Sequence, residues 1–384
     1  MKFKSILLIS NLYPNGNEPT RGLFIQQLAE SLNKEVKVTV VAPLPYNPTE
    51  LFKKSGKVPS LEKIGNITVY HPRYLVIPKL FRSLTGYFFY FGIKKLVERL
   101  KRENKADIIS SHWLYPDGFA ATLIAKRLDC PIALHALGCD INEYTKYKLR
   151  RKFITSALTD SSINIVKSQA LKDSIVNLGV DGTKVHVVHN GVDQNKFHPH
   201  PPSDVRKKLG LSSDKKYCLF IGNFQIEKGL KYLISATSLI TQSNIEFLIV
   251  GSGPLESEIK QLAEKLGVDK KITFLGRVAH DLIPEYMSAA DLLCLPSLRE
   301  GCPNVVLESL SCGTPVVASN VGAVPDIITS DKLGVIVPPQ NPQLLAEGIT
   351  KGLNIRKENM PEFEWYSWEE NSKKILQLFD SIIE

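Results

Sequence analysis

The sequence predicts an α/β protein built from two doubly wound, Rossmann-like domains. Three observations predict it. Short, continuous apolar runs recur along the chain, as strands buried on both faces require. Amphipathic segments separate these runs, which is the alternation of a parallel sheet with crossover helices. Near the midpoint a polar, proline-rich stretch, Asn195-Lys196-Phe197-His198-Pro199-His200-Pro201-Pro202-Ser203, interrupts the alternation and reads as a domain connector.

In the first half the apolar runs predict strands at 5–10, 36–42, 67–71, 106–112, 131–137, 161–167 and 184–189. In the second half they predict strands at 217–223, 245–250, 272–276, 291–295, 315–319 and 334–337. Helical periodicity occupies 23–33, 117–128, 229–241 and 255–266. The tail, 365–384, reads as a helix with Trp368, Ile375, Leu378 and Phe379 toward one side. The expected division is therefore 1–195, 196–365 and a terminal helix over 366–384.

A chain of 384 residues can bury two full cores. It has no apolar run of eighteen residues, so no membrane-spanning helix is expected. The apolar run in Lys4-Ser5-Ile6-Leu7-Leu8-Ile9-Ser10 is short and lacks a small-residue cleavage site, so it reads as a first buried strand rather than a signal peptide. The six cysteines, at 130, 139, 218, 294, 302 and 312, form no C-x-x-C pair, which excludes a zinc ribbon or dithiol redox motif and fits a reducing cytosol. A net charge of +9 permits attraction to acidic membranes or anionic substrates, but no nucleic-acid recognition motif accompanies it.

The stretch that carries chemistry runs from Leu293 to Ala318 and reads as strand, polar loop, helix, strand. Glu300 and Glu308 stand in it with seven residues between them. Pro303 suits the first helical turn and Gly313 the residue just past the helix end. The loop then offers free N–H groups and the positive end of a helix dipole, a place for an anion or for sugar hydroxyls. Asn304 and Glu308, four apart, share a helix face.

This stretch resembles the E-x7-E signature of family 4 glycosyltransferases. Gly222-Asn223-Phe224-Gln225-Ile226-Glu227-Lys228-Gly229 resembles that family's G-R-x-x-x-x-K-G segment, and Val250-Gly251-Ser252-Gly253-Pro254 its V-G-x-G-P turn. Phe274-Leu275-Gly276-Arg277-Val278 and Ala290-Asp291-Leu292 also stand where the family has them. Pro19-Thr20-Arg21-Gly22-Leu23-Phe24 and His112-Trp113-Leu114-Tyr115-Pro116-Asp117-Gly118 resemble a bacterial branch that builds surface polysaccharides. The resemblance implies the GT-B architecture: two Rossmann-like domains facing across a cleft, with the terminal helix returning to the first.

It also implies a retaining transfer of a hexose-type sugar from a nucleoside-diphosphate donor to a glycan or lipid-linked acceptor. The first domain would take the acceptor and the second the donor. Glu308 would accept from the ribose hydroxyls. Glu300 and the segment Gly301, Cys302, Pro303, Asn304 and Val305 would hold the sugar. Lys228 and the turn at Gly22 would face the diphosphate, and Val278 with Arg277 the base. Asn223 stands where the family usually has arginine, so one diphosphate charge is missing. Leu137 stands where histidine or arginine usually precedes G-x-D; His135, two residues upstream, can serve in its place. His112 is the other candidate for sugar contact. Asp117 and Asp140 are acceptor-side candidates, and Asp140 can equally cap the following helix. No two aspartates stand two apart, so the metal clamp of the other large transferase fold is absent and neither metal nor cofactor is expected.

The segment 80–102 interleaves aromatic and basic residues, and 146–152 is a second basic cluster. Both fit an ordinary helix with an aromatic core face and a solvated basic one, and also suit peripheral contact with the inner membrane face. Two rival functions share the predicted architecture: a nucleotide-sugar epimerase, which needs no acceptor, and a two-lobed solute-binding protein, which needs export.

Overall fold

A computed structural model of the chain describes residues 1–19, 21–46, 58–77 and 82–383. Thr20 of the Pro19–Phe24 segment, and Leu80 and Phe81 at the start of the aromatic–basic segment, lie outside the described residues. The chain divides into two compact units, Met1–Gly191 with Trp368–Glu384, and Val192–Ser367.

The first unit contains β1 (Ser5–Ile9), β2 (Lys37–Val41), β3 (Leu44–Tyr46), β4 (Leu61–Ile64), β5 (Ile67–Tyr70), β6 (Arg73–Leu75), β7 (Ile108–His112), β8 (Ile132–Ala136), β9 (Ile163–Val166) and β10 (Val185–Val187). Eight of them form one sheet in the order β10-β9-β8-β7-β1-β2-β5-β4. All neighbours are parallel except β4 and β5. Every residue of β1, β7 and β8 is buried, and apart from His112 and His135 these strands consist of apolar or small residues. The three strands that the sequence reading lacks are β3, β4 and β6. β4 alternates exposed and half-buried residues at the sheet edge, and β3 carries Pro45 in an isolated pair with β6.

The terminal helix, Trp368–Ser381, belongs to this unit. Ile375, Leu376 and Phe379 enter the core beneath β1, where Phe379 meets Phe3 at 6.3 Å between ring centroids. Burying three such side chains contributes roughly 5–9 kcal/mol before the entropy of ordering them. Ser31 fixes the register by donating to Trp368 O and pairing with Ser372 Oγ, both at 2.9 Å.

The second unit contains β11 (Lys216–Ile221), β12 (Ile245–Val250), β13 (Ile272–Gly276), β14 (Leu292–Leu295), β15 (Val316–Ser319) and β16 (Gly334–Val337). Their order, β13-β12-β11-β14-β15-β16, is wholly parallel. This is the Rossmann order, with its switch point between β11 and β14. The first unit switches direction between β1 and β7. At such points the two adjacent loops diverge beyond the strands' carboxyl ends and leave room for a ligand. Among the described residues no helix is long and apolar enough to cross a membrane.

Candidate functional site

In the second unit the switch point brings together two of the sequence-predicted residues. The loop after β11 runs through Asn223 to Lys228, and the loop after β14 runs through Ser297 to Pro303. Lys228 Nζ donates to Glu300 Oε1 at 2.8 Å, and Ser297 Oγ donates to the same oxygen at 2.7 Å. Arg299 donates to Glu227 at 3.1 Å, and Leu298 N to Glu227 O at 2.8 Å. The two loops are thus joined by one backbone bond and two ion pairs. The Glu227–Arg299 pair is not legible in the sequence, because it joins residues 72 apart.

Pro303 leads into the helix Asn304–Ser311, and Gly313 follows its end with φ +68°. Asn304 opens the helix and Glu308 stands one turn on, as their spacing requires. Val305, Cys302 and Val278 each rest half-buried on the same core. Gly301 O accepts from Ala323 N at 2.9 Å, which pins the loop from its far side. Glu308 has no side-chain hydrogen bond from any described residue. Burial raises its pKa to about 7, and the charge of Lys196 only partly opposes that. A carboxyl group held this way gains from hydroxyl donors that restore its lost solvation.

The glycine turn after β12 packs against the β11 loop. Phe224 N donates to Ser252 O at 3.0 Å, and Phe224 O accepts from Leu255 N at 3.2 Å. Arg277 Nε donates to Ser252 Oγ at 2.7 Å, so this arginine lies over the turn. Asn223 is exposed at the start of the loop.

In the first unit the switch point gathers the other group. Gly22 has φ +62°, and a Cβ there would lie 1.8 Å from Leu12 O, so only glycine lets the helix Leu23–Leu32 start against the β1 loop. Asp117 is fully buried beneath that loop. Its Oδ1 accepts from Asn11 N at 2.5 Å, while Oδ2 has no partner. Burial raises its pKa well above the usual carboxylate range. Asp140, also fully buried, accepts from Leu114, Leu137 and Gly138 N–H groups at 2.8–3.2 Å. It therefore ties the loops after β7 and β8 together. It does not cap the short helix Cys139–Asn142, whose N-cap is Gly138. Burial raises the pKa of Asp140 too, against the pull of those N–H donors.

His112 and His135 face each other across the β7–β8 ladder. Their rings stack at 3.9 Å between centroids, and Ser110 Oγ lies 3.3 and 3.1 Å from the two Nε2 atoms. Both residues are buried, at 1% and 0% exposure, and His135 Nδ1 has no partner. Desolvation, with the nearby charge of Lys167, holds both pKa values well below 6.5, so both rings are neutral at pH 7. The i, i+2 spacing of Ser110 and His112 on one strand was the available signal for this cluster. Trp113, the next residue, has φ +89°, an uncommon conformation for a bulky side chain. Among the described residues no group of three His, Cys, Asp or Glu side chains is placed to hold a metal ion.

Comparison with known proteins gives the family and the fold. Residues 22–196 match the model of glycosyltransferase family 4, and residues 203–363 match that of the group 1 glycosyl transferases. A Bacillus subtilis protein named as a teichuronic acid biosynthesis glycosyltransferase, TuaC, is 28% identical over 356 residues, which cover 90% of this chain and 88% of TuaC. Sucrose-phosphate synthase from Thermosynechococcus elongatus superposes with a TM-score of 0.78 at 21% identity, over 99% of each chain. Anabaena HepE, solved with UDP-glucose, superposes with a TM-score of 0.71 at 19% identity, over 98% of this chain and 99% of its own. These likenesses give the fold as GT-B. Glycosyltransferase models thus match both halves of the chain, which belongs to the family 4 glycosyltransferases.

Proposed function

We propose that the protein is a retaining glycosyltransferase that moves a hexose-type sugar from a nucleoside-diphosphate sugar to a glycan or lipid-linked acceptor without a metal. The observation that carries this reading is the Lys228–Glu300 pair, set beside the helix that presents Glu308. In it the second unit takes the donor. Glu308 accepts from the ribose diol. Lys228 and the positive dipole end of Asn304–Ser311 neutralise charge on the departing diphosphate. Glu300 orients the hexose and stabilises positive charge developing on its ring. Arg277 and Val278 border the base. HepE, with its bound UDP-glucose, and TuaC, named for teichuronic acid biosynthesis, support the donor and acceptor classes.

In the transfer, the bond from the anomeric carbon to the β-phosphate oxygen breaks. The acceptor oxygen bonds to that carbon on the same face, and its proton passes to the departing phosphate. No enzymic nucleophile is required. The first unit, with its terminal helix, takes the acceptor, with Asp117, Asp140, His112 and His135 around that position. Peripheral contact with the inner membrane face belongs to the same reading. It is supported by Phe91 and Tyr147, 69% and 59% exposed, among Lys94, Lys95, Lys146 and Lys148 of that unit.

A thermal-shift panel of uridine, guanosine and adenosine diphosphate sugars tests the donor assignment, since a ligand bound only by the folded state raises Tm. Nucleoside diphosphate should then be released only when an acceptor is added. Release without one favours an epimerase. Sedimentation with liposomes containing acidic lipid tests the membrane contact; a protein left wholly unbound at low salt contradicts it.

A further inference from the structure

We infer that Arg150 is an anion-recognition residue of the acceptor site, binding a phosphate or carboxylate group carried by the acceptor; this rests on the transferase reading above. The guanidinium lies over three tyrosine rings, with Cζ 4.8 Å from the centroid of Tyr144, 5.0 Å from Tyr147 and 6.0 Å from Tyr115. The cage is itself fixed. Tyr115 Oη donates to Ser83 O at 2.6 Å and accepts from Gly86 N at 2.9 Å, and its ring stacks on Phe153 at 6.2 Å. Trp113 meets Tyr144 edge-on at 5.8 Å.

Within this cage Arg150 Nε is buried without a hydrogen-bond partner, and no described carboxylate pairs with the guanidinium. Its neighbour Lys146 does have one, Glu143 at 2.7 Å. Aromatic faces attract a cation but satisfy none of its N–H donors. Arginine's planar fork matches carboxylates and phosphates, and a pre-set guanidinium loses little entropy on binding one. The location fits an acceptor. Tyr144 is near enough to feel the charges of Arg150, Asp140 and Asp117 together, beyond the carboxyl ends of β7 and β8. The strained backbone of Trp113 stands beside it.

The test uses the whole chain with its donor site filled by the nucleoside diphosphate that the thermal-shift panel selects. Farnesyl phosphate in detergent, methyl glucuronide and neutral methyl glucoside are titrated calorimetrically. An anionic probe should bind and the glucoside should not; farnesyl phosphate points to a lipid-linked source and the glucuronide to an acidic glycan. Arg150→Met, which keeps an apolar stem, should weaken the anionic probe about tenfold or more, leaving Tm and nucleotide affinity unchanged. Arg150→Lys should recover part of the loss. If Arg150→Met does not fold, the Lys variant decides: a loss of about threefold or more of the anionic probe supports the inference. Wild-type anion affinity in the variants, or equal binding of the glucoside, or no binding of either anion, overturns it. Failure of every nucleotide to bind instead removes the transferase reading itself.

Discussion

Lys228 Nζ lies 2.8 Å from Glu300 Oε1, which joins the first loop of the second unit's sheet to the fourth. The carboxylate is 10% exposed and shares its oxygen with Ser297, so the pair is positioned by the fold rather than by solvent. Lys228→Ala removes the charge expected to face the diphosphate and leaves Glu300 with one neutral donor. We expect kcat/KM to fall by about two to three orders of magnitude. The cost to stability should be only about 1 kcal/mol, because the lysine is partly solvated. Steady-state kinetics beside a denaturant titration separate the two effects. A large loss of stability with unchanged kcat/KM would reduce the pair to a structural tie.

Glu308 supplies a pH prediction. Its pKa rises from 4.5 in the unfolded chain to about 7 in the fold, so the folded state holds the extra proton between those values. Its contribution to the ligand-free chain is therefore lost as pH rises from 4.5 toward 7. Glu308→Gln removes that penalty, and at pH 8 should raise Tm by a few degrees, corresponding to about 1–3 kcal/mol. Melting curves of the two proteins should converge at pH 4.5. A variant less stable than wild type at pH 8 would contradict the assignment.

His112 and His135 act in the opposite sense. Their folded pKa values lie well below 6.5, so on acidification the unfolded chain takes up protons that the fold refuses. Below pH 6.5 they lower stability progressively. The double variant His112→Gln, His135→Gln should show a shallower fall in Tm between pH 6.5 and 5 than wild type, whatever its stability at pH 7.5. Equal slopes would show that the pair accepts protons freely.

Asp117 offers a separation of structure from chemistry. Asp117→Asn keeps an oxygen for Asn11 N and removes a buried acid whose second oxygen is unpartnered. Stability should hold or rise slightly, whereas transfer to the acceptor should fall about a hundredfold if this carboxyl receives an acceptor hydroxyl. Unchanged turnover would leave Asp117 as an anchor of the β1 loop alone.

Gly322 has φ +58°, and a Cβ there would lie 2.5 Å from Glu300 O and 2.7 Å from Gly301 O. Gly322→Ala must therefore move the sugar-holding loop. Donor affinity should fall more than about tenfold, with about 1–3 kcal/mol lost from stability. Calorimetric titration of the donor checks the first, and urea unfolding the second.

The core strands were legible because each is buried on both faces, so β1, β14 and β15 read as unbroken apolar segments. The edge elements were not, because β4 is only half-buried and β3 is a half-buried leucine followed by an exposed proline and an exposed tyrosine. In the site, the Glu300–Glu308 spacing was visible because a loop and a helix start encode it locally. The bond from Lys228 to Glu300 crosses 72 residues and depends on strand order, which no local pattern records. The stacking of His112 on His135 likewise depends on β7 lying beside β8. His135 was expected near the sugar; its burial could not be read from a strand whose neighbours on both sides were unknown.

The central claim is that a nucleotide sugar is held at the start of the helix Asn304–Ser311. Its most direct test is equilibrium titration of the preferred nucleoside diphosphate into wild type and Glu308→Ala at pH 8. The account predicts a loss of affinity of about tenfold or more, the worth of hydrogen bonds to a charged acceptor. Identical affinities in the two proteins would contradict it.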